Sequence, residues 1–148
     1  MPLHYVSYRT TGSALTDVQV LKDTLGWLIG DDERVVYERS TSYHGSELHL
    51  LTAQVTNKRA ALRALASLGR RNLELLEVEW SERTDESNVL YFRLDMNEAT
   101  RKQATLVEPG GSPTIKGQAK LALYPGKRRE DEWSTTLQAA MALVEEEE

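Results

Sequence analysis

Cysteine is absent from the 148-residue sequence, so the chain can form no disulfide, no thiolate metal site and no cysteine nucleophile. Histidine occurs only three times, and no pair of histidines has the spacing of metal ligands on one helix face. No apolar run approaches the ~20 residues that a membrane-spanning helix needs, and the N-terminus lacks the pattern of a signal peptide. We therefore expect a cytoplasmic protein with no membrane partner, no metal and no other cofactor.

A large excess of one charge is also missing. The net charge is −5 at pH 7, and Glu145–Glu148 supply four of the negative charges. Without these four, 19 acidic residues stand against 18 basic ones. The total therefore shows no strongly basic nucleic-acid binder, but it leaves room for a basic face on a mixed surface.

The composition that is present is that of a folded domain, with 40% hydrophobic and 28% charged residues. A chain of this length buries about two-thirds of its unfolded surface. It has no internal repeat and no linker rich in proline and serine. We therefore expect one domain over residues 1–144, followed by a solvated acidic tail at residues 145–148.

A strand followed by a helix is predicted near the N-terminus. Residues Leu3–Arg9 are rich in strand-forming types and alternate well enough for a strand, and Thr10–Ser13 read as a polar break. Apolar residues then recur at helical spacing from Val18 to Leu28. Gly30 stands where such a helix is expected to stop.

A hairpin and a further helix are predicted next. The hairpin strands cover residues 34–40 and 47–56, and a change of phase near Leu50 indicates a bulge in the second one. Asn57 has the residue type of a helix cap, and the helix that follows is expected to end just before Gly69.

Helices and strands are expected to alternate in the second half. Residues 73–82 fit a strand or a helix, and their glutamates favour the helix. Residues 88–95 form the clearest strand of the chain. The elements expected after it are a short helix capped by Asn97, a hairpin with strands at 105–108 and 114–124, and a helix with apolar residues from Trp133 to Val144. This order predicts an α+β fold, an antiparallel-dominated mixed sheet with helices packed on one face.

Clusters of basic residues, some beside aromatic ones, are the main candidates for function. Arg59 and Arg63 lie one turn apart on a predicted helix. Tyr91 and Arg93 share the polar face of one strand, and Lys116 and Lys120 share a face of another. Such residues contact phosphates and stack on bases in nucleic-acid binders, but ordinary solvated surface has the same composition.

Catalytic chemistry has little support. Asp95 and Glu98 flank a predicted strand–helix junction, where helix capping explains both carboxylates without a metal. No histidine has a serine and an acid in the context of a hydrolase triad. We therefore expect no catalytic residues.

Short segments in a fixed order carry a family resemblance. They are Tyr5–Arg9, Tyr43–Gly45, Ser81–Asp85, Leu90–Asp95, Asn97–Ala99, Ile115–Lys120 and Tyr124–Arg128. In this order they resemble an archaeal family of RNA-binding proteins and predicted exosome subunits, over roughly residues 3–140. The chain departs from the family pattern at Thr10–Thr16 and at Met96, so no ligand role is carried over to those places.

The resemblance implies a fold like that of the large-subunit ribosomal protein that holds 5S RNA, an α+β sandwich. It implies an archaeal, cytoplasmic protein associated with RNA processing or translation, and it brings no catalytic residues. We therefore predict a non-catalytic RNA-binding adaptor, whose partners are RNA and exosome or ribosomal proteins. The expected RNA contacts are Arg9, Arg59, Arg63, Tyr91, Arg93, Lys116 and Lys120. The alternative is a protein-interaction module without nucleic acid, and monomer and dimer both remain open.

Overall fold

The computed structural model describes residues 3–13, 15–111 and 113–147. For residue 147 it describes the backbone only. An antiparallel sheet of five strands carries helices on one face. The strands are β1 (Leu3–Ser13), β2 (Val35–Thr41), β3 (Glu47–Val55), β4 (Val89–Asp95) and β5 (Thr114–Leu121). The helices are α1 (Val18–Ile29), α2 (Lys58–Ala66), α3 (Arg70–Arg83), α4 (Met96–Thr100) and α5 (Arg129–Glu147), with a single 3₁₀ turn at Asp32–Arg34.

The sheet has the order β2-β3-β1-β5-β4, and all its strand pairs are antiparallel. The core lies between the sheet and the helices, because alternate residues of β1, β3, β4 and β5 bury apolar side chains on the face where α1, α2 and α3 pack, whereas the edge strand β2 has no buried residue. The predicted α+β class is confirmed, with helices on one face of the sheet. The parallel pair that a mixed sheet requires is not found among the described strands.

Several local signals that the sequence carries are confirmed. Gly30 ends α1 at φ 87°, a left-handed conformation that favours glycine, and its amide donates to the carbonyl of Gly26. The Asn57 side chain caps α2 by accepting from the amides of Arg59 and Ala60 at 3.0 and 3.1 Å. The ambiguous segment 73–82 lies within α3, as its glutamates favour.

The polar break predicted at Thr10–Ser13 is wrong, because these residues continue β1. Each of them pairs with a residue of β3 between Leu48 and Leu51. The bulge predicted near Leu50 is wrong as well, since Leu50 and Leu51 stay in register with both β1 and β2. A long partner strand therefore overrides the weak local preference of this polar, glycine-containing segment.

The hairpin predicted from strands 105–108 and 114–124 is also wrong. Leu106 bridges to Leu94, and the Val107 amide donates to the Arg93 carbonyl at 3.0 Å, so this segment lies along β4. The strand β5 instead fills the space between β1 and β4. The turn-forming residues at 109–113 predicted that the segments before and after them pair with each other. Because β5 is an inner strand, its backbone groups are paired with β1 on one side and β4 on the other.

The short helix α4 starts one residue earlier than predicted. Asp95 provides the cap in place of Asn97, through an Oδ2 atom that accepts from the Glu98 amide at 2.9 Å. The predicted acidic tail forms the last turn of α5 up to Glu147, and Glu145 pairs with Arg70 of α3. Glu148 lies outside the described residues.

Aromatic residues occupy the centre of the core. Tyr8 is fully buried, its hydroxyl donates to the carbonyl of Ala64 at 2.8 Å, and burial raises the pKa of that hydroxyl well above its usual range. Its ring meets the Phe92 ring edge-on at 5.9 Å. The Phe92 ring in turn covers Gly117, where a Cβ atom would lie 2.2 Å from the ring. None of the helices within the described ranges is long and apolar enough to cross a membrane.

Substituting Gly117→Ala should destabilise the fold by about 1–3 kcal/mol, because the added methyl group collides with the Phe92 ring. Urea unfolding measures this loss. Adding Phe92→Leu should make the combined loss smaller than the sum of the two single losses, since the smaller side chain leaves space for the methyl group. A Gly117→Ala protein as stable as the parent would contradict this packing.

Candidate nucleic-acid interface

One face of the sheet carries no helix of the described chain. The alternation that buries Tyr8, Phe92 and Ile115 sends their sequence neighbours to this second face, which we call the open face. Arg9 lies one residue after Tyr8, and Lys116 lies one residue after Ile115. The burial of the core positions therefore decides which way the basic side chains project.

Three cations lie side by side on the open face. Arg9 of β1 pairs in register with Lys116 of β5, and Lys116 pairs with Arg93 of β4. We call Arg9, Lys116 and Arg93 the cation row. Neighbouring strands are about 4.8 Å apart, so the row spans about 10 Å across three strands. None of its members forms an ion pair with a carboxylate of the described chain.

The cation row is electrostatically unfavourable in the absence of an anion. Like charges directly opposite each other on paired strands repel, and here Lys116 has a cation on each side. A bound anion would relieve this repulsion while pairing with donors that the fold leaves unused. The arrangement therefore favours a ligand with several negative charges in a line.

A second row runs parallel to the first, two residues along each strand. It consists of Tyr91 on β4, Gln118 on β5, Ser7 on β1 and Gln54 on β3, each paired with the next. We call these four residues the polar row. The Tyr5 hydroxyl donates to Oε1 of Gln118 at 3.3 Å, which orients the amide. This row presents an aromatic ring, two amides and a hydroxyl beside the cations.

Tyr91 is held in place by Asp85. Its side chain is 45% exposed, and its hydroxyl donates to Oδ2 of Asp85 at 2.9 Å. This hydrogen bond raises the pKa of Tyr91, because the carboxylate stabilises the protonated phenol. The backbone amide of Val89 is the main cause of a lowered pKa of Asp85, and the Tyr91 hydroxyl adds to it. The ring of Tyr91 therefore has a fixed orientation at the edge of the open face.

The cation row, Tyr91 and Gln118 line a groove of about 520 Å³, whose far wall is formed by the end of α3 and by residues 107–109. Three acids, Glu82, Asp85 and Glu108, line this wall. A second hollow of about 580 Å³ continues over β1, β3 and β2, and the side chains of Arg9 and Lys116 border both. The middle of the open face therefore carries the cation row, with Glu38 in the second hollow, and the wall beyond β4 carries the three acids beside Arg83.

The structure brings five of the seven predicted contact residues to the open face, namely Arg9, Tyr91, Arg93, Lys116 and Lys120. Lys120 lies two residues beyond Gln118 of the polar row, opposite Val89 and Tyr5. The other two, Arg59 and Arg63, lie on α2 in the helical layer, near Gly30. They do not share a surface with the cation row.

Sequence reasoning missed Ser7, Gln54 and Gln118. Strand alternation places each of them on a polar face, but serine and glutamine are ordinary on any surface. Only the register of three strand pairs shows that they line up with Tyr91.

The described residues give no support for a metal site, and the carboxylate of Asp95 has a structural role. Within residues 3–13, 15–111 and 113–147, no group of three or more His, Asp or Glu side chains has the geometry of a metal site. The Asp95 carboxylate accepts from the Glu98 amide and so acts as a helix cap.

The profile of a family described as RNA binding matches residues 5–121, which is most of the chain. The chain belongs to this RNA-binding family. The match contains all five predicted contact residues that lie on the open face, together with the polar row. No curated protein sequence matches the chain.

Solved structures from archaea share the fold of this family member. A DUF54 protein from Methanothermobacter thermautotrophicus is 24% identical with a TM-score of 0.70, covering 95% of this chain and 99% of its own. A DUF54 protein from Archaeoglobus fulgidus is 20% identical with a TM-score of 0.71, covering 93% and 99%. A UPF0201 protein from Methanococcus jannaschii is 10% identical with a TM-score of 0.59, covering 90% and 98%.

Replacing Asp85 by asparagine should lower the pKa of Tyr91 towards that of an ordinary phenol, because the carboxylate that stabilises the protonated hydroxyl is gone. The asparagine oxygen can still accept from the amides of Ser87 and Val89, so the turn keeps its hydrogen bonds. A pH titration of the Tyr91 Cζ resonance by carbon-13 NMR measures the shift. An unaltered Tyr91 pKa in Asp85→Asn would show that the two side chains do not interact in solution.

Proposed function

We propose that the protein is a non-catalytic RNA-binding adaptor, and that its open sheet face contacts the phosphate backbone. The observation that carries the proposal is the cation row, in which three strands hold Arg9, Lys116 and Arg93 side by side without a carboxylate partner among the described residues. Membership of the RNA-binding family supports RNA as the polyanion.

Binding to phosphates would explain why the cation row has no carboxylate partner among the described residues and why three like charges lie side by side. Each cation that pairs with a phosphate releases condensed counterions, which favours binding. The same contact removes the repulsion between the neighbouring cations of the row. Lys120 adds a fourth positive charge on the same face, on the other side of the polar row.

Tyr91 completes this interface as a stacking residue. Unpaired bases stack on aromatic side chains at the surface of many RNA-binding sheets. The ring is 45% exposed and stands beside Arg93 on the same strand face. Its hydrogen bond to Asp85 reduces the entropy that the side chain loses when a base stacks on it.

The narrower role in RNA processing or at the ribosome depends on other support. That support is the fixed order of short segments, in which the chain resembles archaeal RNA-binding proteins and predicted exosome subunits. The archaeal sources of structures with the same fold agree with that resemblance. We propose exosome or ribosomal proteins as partners on this basis.

The triple substitution Arg9→Gln, Lys116→Gln and Arg93→Gln should weaken binding to single-stranded RNA. It should also make the salt dependence shallower by about 2 units in the log–log slope, because each neutralised phosphate contributes about 0.7. Fluorescence anisotropy across a salt series measures both quantities. A slope equal to that of the parent protein would remove the cation row from the interface.

A variant of α2 provides the matched comparison. Substituting Arg59→Gln and Arg63→Gln removes two positive charges from the helical layer rather than from the open face. The proposal expects little change in slope for this variant. A drop of about 1.4 units, equal to two phosphate contacts, would place RNA on α2, where two of the seven contacts predicted from the sequence lie.

A protein-interaction module is the second candidate, and a different part of the open face favours it. Val36 on the edge strand β2 is 64% exposed, and it lies near the half-buried Leu50 in the second hollow. Apolar side chains at an unpaired sheet edge favour association with another chain. If this candidate is right, sedimentation should show a mass that rises with concentration, and Val36→Lys should abolish the rise.

A further inference from the structure

We propose that the ligand is single-stranded RNA that crosses the strands of the sheet, with its backbone on the cation row and its bases over the polar row. The inference rests on the proposed RNA-binding function and adds the form of the RNA and the place of its bases. It is argued from the register of four neighbouring strands.

The two rows have the separation that a nucleotide needs. Tyr91 and Arg93, Gln118 and Lys116, and Ser7 and Arg9 are pairs of residues two positions apart on one strand face. Two residues advance a strand by about 6.8 Å, so the cation row and the polar row are about 6.8 Å apart. A nucleotide whose phosphate binds the cation row can therefore place its base above the polar row. This repeats on three adjacent strands, which sets the direction of the RNA across the sheet rather than along it.

The polar row carries the groups that bind unpaired bases. The Tyr91 ring offers a stacking surface at one end, in an orientation fixed by Asp85. The Gln118 amide accepts from Tyr5 through Oε1, and its Nε2 forms no hydrogen bond within the described chain. Ser7 and Gln54 add groups that both donate and accept hydrogen bonds. Together they suit the edges of bases rather than a further row of phosphates.

The dimensions favour a short single strand over a duplex. The polar row crosses four strands and so spans about 14 Å, which is about the length of four steps between stacked nucleotides at about 3.4 Å each. In an RNA duplex the base edges are paired, and its major groove is too narrow for side chains to read. Stacking on Tyr91 and bonding to Gln118 therefore require unpaired bases.

The acids of the groove wall limit the contact at one end. Beyond Arg93 the wall carries Glu82, Asp85 and Glu108 beside Arg83, which pairs with Glu79 and lies 3.9 Å from Glu108, so negative charge is in excess there. These carboxylates repel phosphates, so the backbone is expected to leave the sheet at β4 instead of continuing over α3.

Anisotropy titrations with eight-residue oligoadenylate, oligouridylate and oligocytidylate, and with an eight-base-pair RNA duplex, test this arrangement. The parent protein should bind at least one single strand about tenfold or more tightly than the duplex. Tyr91→Ala should weaken single-strand binding by about 5- to 150-fold, the range for loss of one stacked base. Tyr91→Phe, which keeps the ring, should recover most of that affinity.

Two further variants separate base contacts from other effects. Gln118→Ala should reduce the ratio of affinities between the tightest and the weakest single strand, because it removes a base-edge contact. Tyr43→Ala is the matched control, since Tyr43 is 99% exposed in the β2–β3 turn and lies outside both rows. It should bind each RNA as the parent protein does.

The outcomes separate this inference from the function on which it rests. Equal affinity for duplex and single strands, or a Tyr91→Ala protein that binds like the parent, would overturn the base contacts. If the cation-row variant still lost affinity and slope in that case, phosphate binding on the open face would stand alone. Absence of binding to every RNA would overturn the inference together with the proposed function.

Discussion

The register of β5 between β1 and β4 is the constraint on which the open face depends. A shift of this strand by one residue would exchange its two faces, which would bury Lys116 and expose Ile115. The close fit of the Phe92 ring over Gly117 opposes such a shift, because any larger side chain at that position collides with the ring. This packing contact in the core therefore helps to hold Lys116 and Gln118 of β5 on the opposite side of the sheet.

Local signals were sufficient for most of the helices and strands. The cap at Asn57, the stop at Gly30 and the periodicity of β4 each act within a few residues, so the sequence alone could predict them. Strand pairing could not be predicted in the same way. Residues 105–108 and 114–124 resemble a hairpin locally, but β5 gains more by pairing with both β4 and the distant strand β1, which buries its apolar face completely.

In the candidate site, too, local patterns predicted which way side chains face, but not which strands lie next to each other. Strand alternation predicted that Arg93, Lys116 and Tyr91 face away from the core, and the structure confirms this for all three. Their convergence with Arg9 depends on the pairing of Arg9 with Lys116, 107 positions away in the chain, for which no local pattern exists. Arg59 and Arg63 illustrate the reverse case, since a conspicuous basic pair on one helix face lies in the other layer of the fold.

The central claim is that RNA binds the open face of the sheet, and mapping the interface residue by residue tests it most directly. Titrating nitrogen-15-labelled protein with a short single-stranded RNA, while following backbone amide shifts, shows which elements respond. The account predicts the largest shifts in β1, β4 and β5, centred on Arg9, Lys116 and Arg93, with little change in α2. Shifts concentrated on α2 around Arg59 and Arg63, with β4 and β5 unmoved, would contradict it.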